Sequence, residues 1–154
     1  MAPTAQEIRG LLEAHIAQDL AEKTGSASKQ LGHIHNHFHD DAEYHINGHE
    51  FHHATELKGA ETIKGEVSDG SLSEFPDVID YSKPHDCKVL QVIGGGKESE
   101  WAAAVVKATA TTTTGKPFNH ESVMTLQFDS NGKILHMKNY ADTLHLHNII
   151  QDAS

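Results

Sequence analysis

The chain has 154 residues and a formal charge of −10 at pH 7 with its histidines neutral, from 12 Lys+Arg against 22 Asp+Glu. That length suits one domain, 1–154, with a core and a small pocket, and the acidic balance excludes nucleic acid or an anionic membrane as main partner, since phosphate binding needs clustered Lys and Arg. Cys87 is the one cysteine, so an intramolecular disulfide and a Cys-based zinc finger are excluded as well.

Residues 1–10 lack the apolar stretch of a signal peptide, and no apolar run reaches transmembrane length, so a soluble cytoplasmic protein is expected. Thr4 and Glu7 have capping-box spacing ahead of Ile8, Leu11, Leu12, His15, Ile16 and Leu20 on one stripe, which predicts an amphipathic helix ending near Thr24-Gly25. Leu31, Ile34 and Phe38 suggest a second helix, from Ser28 to about Asp40-Asp41. Ala42, Tyr44 and Ile46 alternate with Glu43, His45 and Asn47 in a short strand. A weak helix is read over 55–67 through Leu57, Ala60, Ile63 and Val67, and residues 68–84 read as loop.

The last third is β-structure. Strands are expected over 88–93, 101–113, 118–129 and 134–141, the third joined to the fourth by Asn131-Gly132, a strong hairpin signal. A short helix is expected over 143–151. Helices first and then an antiparallel meander give an α+β domain, with helices covering one face of a bent sheet.

The run from Thr111 to Thr143 resembles the C-terminal half of SnoaL-like proteins in the nuclear transport factor 2 (NTF2)-like superfamily. The likeness lies in Gly115, Asn119-His120-Glu121, Phe128-Asp129 through Gly132-Lys133-Ile134, and Tyr140-Ala141-Asp142; residues 37–51 resemble the family's first strand region. It implies a cone-shaped barrel with a pocket at its mouth, no required cofactor or metal, and kinship with polyketide cyclases, ketosteroid-isomerase-like enzymes, dehydratases and binding proteins without activity. Small fungal members, isomerase-cyclases of meroterpenoid pathways among them, are included in the likeness. The expected partner is a hydrophobic small molecule, and a homodimer through the outer sheet face is expected.

The resemblance makes Asp142 the first catalytic candidate, as a pocket-facing carboxylate near the end of the last strand that moves protons. The same residue suits the cap of the following helix. His120 shares an apolar strand face with Phe118, Ser122, Met124 and Leu126, so it is expected to point inward. His45 and Tyr140 are further candidates as proton shuttles or hydrogen-bond donors to an enolate, although alternation alone does not decide which face of their strands lines the pocket. Two other readings stand beside the enzyme: a non-catalytic binding module, and a histidine-rich metal-binding protein.

The third reading comes from composition. Eight of the fourteen histidines lie between Gly32 and His53, and adding fourteen protons to a charge of −10 gives +4, so the protein's field changes sign on mild acidification. If 28–39 is helical, His33/His37 and His35/His39 are i,i+4 pairs of the kind that hold zinc. A solvated histidine surface is the plain alternative.

Overall fold

A computed structural model of the chain describes residues 1–25, 33–68 and 78–153. Helix α1 (Ala5–Lys23) begins at the capping box. Thr4 Oγ1 accepts from the Glu7 amide at 3.2 Å and Glu7 Oε2 accepts from the Thr4 amide at 2.9 Å, satisfying two of the donors that a helix start leaves bare. Its apolar stripe is buried at Ile8 and Leu12, with Leu11 and Ile16 packed beside them.

The second helix does not form over the described part of its span. Ile34–His37 is one 3₁₀ turn, and Phe38 is already extended at the start of β1 (Phe38–Ile46); residues 28–32 lie outside the described ones. Ile34 and Phe38 are both buried, as a helical stripe would have them, but from a turn and a strand. His33/His37 and His35/His39 therefore share no helix face.

The helix expected over 55–67 starts later. Thr55–Lys58 forms β2, paired antiparallel with β1, Gly59 turns the chain at φ +93°, and α2 is Ala60–Ser68. The remaining elements are β3 (Asp86–Gly94), β4 (Trp101–Thr111), β5 (Pro117–Phe128), β6 (Ile134–Tyr140) and α3 (Thr143–Ala153).

These six strands form one sheet in the order β2-β1-β6-β5-β4-β3. β3 to β6 are the expected antiparallel meander, whereas β1 joins β6 in parallel, which makes the sheet mixed. The class is α+β, and the sheet is curved and open rather than closed into a barrel. Its inner face carries Ala42, Tyr44, Val89, Ala104, Val106, Met124, Leu126 and Met137, which pack with α1 and α2 residues in the core. By alternation Glu43, His45, His136, Lys138 and Tyr140 project from the outer face. No described helix is long and apolar enough to cross a membrane.

The turn Gly94-Gly95-Gly96 fastens the start of α1 to the sheet. All three residues have positive φ, and the Gly96 amide donates to Pro3 O at 2.7 Å. A Cβ on Gly95 would sit 2.6 Å from Pro3 O and 2.8 Å from Ile8 Cδ1, while one on Gly96 would meet nothing within 4 Å. Gly95→Ala is thus expected to cost about 2–4 kcal/mol, from left-handed strain plus overpacking, and Gly96→Ala about 1 kcal/mol, from strain alone. Urea denaturation of the two variants measures the difference; equal losses would show that close packing on Pro3 and Ile8 does not hold this end.

Candidate active site

Beyond Leu12, a cavity of about 390 Å³ lies between α1 and the sheet. Such a volume suits a small organic ligand. His15, Ile16, Asp19 and Leu20 of α1 form one wall. Ile79, Tyr81, His85 and Cys87 form a second, and Ala108 and Ala110 of β4 with Phe118 of β5 form the floor. The small side chains of Ala108 and Ala110 leave room on the sheet at this end.

The cavity holds two imidazoles of opposite hydrogen-bonding sense. His15 Nδ1 accepts from the Ile34 amide at 3.1 Å, so in the neutral ring Nε2 carries the proton. Burial pushes the His15 pKa down; nearby Asp19 opposes this, His33 adds to it and Glu22 opposes it. His85 is the reverse. Its Nδ1 lies 2.9 Å from Lys83 O, and because a carbonyl only accepts, Nδ1 is the donor and Nε2 is the proton-accepting nitrogen of the neutral ring. Tyr81 meets His85 edge-on, with ring centroids 5.4 Å apart.

His120 adjoins this space. It faces inward, opposite Ala108 in the β4–β5 register, and stacks on Phe118 with ring centroids 5.8 Å apart. Its Nε2 accepts from the backbone amide of Asp142 at 3.1 Å. Burial lowers its pKa, Asp142 raises it and His145 lowers it. Ser122, next along the same face, is buried.

The other expected site residues lie elsewhere. Asp142 is exposed, and its Oδ1 accepts from the His145 amide at 3.1 Å, capping α3. Its carboxylate is not among the groups lining the cavity. His45 and Tyr140 project from the outer sheet face; Tyr140 is 44% exposed, with Lys138 Nζ 4.8 Å from its ring centroid. The structure therefore does not bring Asp142, His45 and Tyr140 into one cavity with His120.

The histidine block is dispersed in the same way. His33 and His35 are buried and stacked, with ring centroids 4.8 Å apart; His33 Nε2 lies 2.9 Å from Glu22 Oε2, and His15 approaches His33 at 5.4 Å. His37 and His39 flank the start of β1 without joining them as ligands. Two cavity residues were not among the expected site residues. His15 has a sequence signal, a polar residue on the apolar stripe of α1 with Asp19 four residues on. His85 has none, since it sits in an irregular stretch after Pro84.

Neither a protein-family model nor a curated protein matches the chain by sequence. Solved structures match in fold. A provisionally assigned isomerase from Bacillus subtilis superposes with TM-score 0.67 at 14% identity, covering 97% of this chain and 96% of that one. An NTF2-like protein of unknown function from Exiguobacterium sp. 255-15 gives 0.56 at 16% identity, covering 86% and 98%. TerC, co-crystallised with polyporic acid, gives 0.59 at 18% identity, covering 92% and 98%. The chain has the NTF2-like fold, as the residues from Gly115 to Asp142 led us to expect.

Folding stability is expected to fall as pH drops below neutral. His15, His35, His37, His120 and His136 all have pKa values held down by burial, that of His35 to about 4. The unfolded chain takes up their protons first, from about pH 6.5, so each unit of acidification between there and the folded values favours unfolding. Thermal melts from pH 7 to pH 4 check this; His35→Gln should flatten the slope, and a melting temperature independent of pH would contradict it.

Proposed function

We propose that the chain is a cofactor-independent acid–base enzyme, an isomerase, cyclase or dehydratase, acting on a hydrophobic small molecule held beneath α1. The observation that carries this reading is the pair of imidazoles with complementary protonation in one largely apolar cavity. His85, with Nδ1–H held by Lys83 O, offers Nε2 as base to a proton beside a carbonyl. His15, with Nδ1 occupied by Ile34, offers Nε2–H to the oxygen on which negative charge develops. His120 supports the same end of the cavity by fixing Asp142 and the start of α3.

Fold neighbours support the class of reaction and ligand without defining them: one is provisionally assigned as an isomerase, and another was crystallised with polyporic acid. We also propose that the protein works in the cytoplasm, as a homodimer through the outer sheet face, where Ile93, Trp101, Val123 and Tyr140 are exposed. A non-catalytic binding module is the second reading, favoured by the apolar floor of Ala108, Ala110 and Phe118.

Elimination from 5-nitrobenzisoxazole, a generic probe for a base in an apolar pocket, separates these readings. His85→Gln is expected to lower the rate by about 10²-fold or more. Asp142→Asn, which keeps a capping side chain, should leave it unchanged. Loss of activity in the Asp142 variant with retention in the His85 variant would transfer the role of base to the carboxylate. Absence of catalysis, with dye binding that Ala108→Leu abolishes, would establish the binding module.

A further inference from the structure

We propose that Glu43, His45 and His136 form a zinc site on the outer face of the sheet, remote from the cavity and independent of its chemistry. Among the described residues, these three place one donor atom each within 4.8 Å of one another. The backbone sets the arrangement. Glu43 and His45 are alternate residues of β1 and so share a face, and Glu43 is register partner to His136 across the parallel β1–β6 pairing.

His45 Nε2 lies 3.6 Å from Glu43 Oε2, and the His45 and His136 ring centroids are 5.1 Å apart. Bonds of about 2.0–2.2 Å in a tetrahedral shell set ligand atoms roughly 3.4 Å apart, so a small side-chain adjustment closes the set on an ion.

A second observation points the same way. His45 Nε2 and His136 Nδ1 are both shielded from solvent and have no hydrogen-bond partner. A shielded polar nitrogen without a partner is costly, and two such nitrogens beside one carboxylate are what a metal ion would satisfy. On the far side of the ring, His45 Nδ1 lies 3.9 Å from Glu56 Oε1, close enough for charge attraction but beyond hydrogen-bond length. Trp101 walls the site, its ring centroid 5.6 Å from that of His136.

Two imidazoles and one carboxylate select a borderline divalent ion over calcium or magnesium, which take oxygen ligands. Three protein ligands leave a fourth position for water or a donor from another molecule, as in zinc sites of the open kind. Lys138, register partner of His45, is the cation that opposes metal binding here; its ammonium group is drawn toward the Tyr140 ring. Of the eight clustered histidines only His45 takes part, and its imidazole partner lies 91 positions further along the chain.

Calorimetric titration of metal-stripped protein with Zn²⁺ tests the site, with circular dichroism confirming that each variant is folded. The wild type should bind one equivalent. Glu43→Gln and His136→Gln should each weaken that binding by at least about tenfold, whereas the double variant His52→Gln/His53→Gln should bind as the wild type does. Co²⁺ in place of zinc should give a visible spectrum of nitrogen and oxygen ligation, without a sulfur-to-metal band. Absence of saturable binding, binding undiminished in His136→Gln, binding lost with His52 and His53, or a thiolate band from Cys87 would each overturn the assignment.

Discussion

The structure depends on how α1 is laid across the sheet. Its first half is sealed: Ile8 and Leu12 are buried, the Arg9 guanidinium donates to Val89 O at 2.5 Å, and the glycine turn grips Pro3. One turn further on, His15, Ile16, Asp19 and Leu20 face the open space above Ala108 and Ala110. The helix continues over that floor without filling it, and the gap is the cavity. The His15–Asp19 pair is held over the gap by the same helix.

Burial sorts the histidines by chemistry. Burial depresses the pKa values of His15 and His35; His35, the extreme case, is also depressed by His33 and Lys64. Burial lowers the pKa of His120 in the same manner. On the outer sheet face His45 is half-buried beside the carboxylates of Glu43 and Glu56. One residue type thus supplies uncharged donors and acceptors in one region and metal-competent nitrogens in another, depending on which neighbours the fold provides.

Much of the fold could be read from local chemistry. The Thr4–Glu7 box, the Asn131-Gly132 hairpin and the alternation around Tyr44 and Met124 are short-range signals, and each is present in the structure. The parallel pairing of β1 with β6 joins segments about ninety residues apart, and no local pattern encodes it. That pairing decides that His45 and Tyr140 face outward, so their orientation was equally hidden. Over the described residues 33–39 helical spacing misled, because Ile34 and Phe38 reach the core from a turn and a strand. Asp142 could be read both as a base and as a cap; the amide of His145, a local partner, is what its carboxylate meets. His85 acquires a role only through the tertiary placement of an irregular segment.

The cavity's acid–base chemistry rests on one imidazole protonated on Nε2 and another protonated on Nδ1. Nitrogen NMR of the histidine-labelled protein in mildly alkaline buffer reads both tautomers directly, with His15→Gln and His85→Gln assigning the signals. The account predicts Nε2–H for His15 and Nδ1–H for His85. The same tautomer in both rings, or rapid exchange between tautomers as in free imidazole, would contradict it.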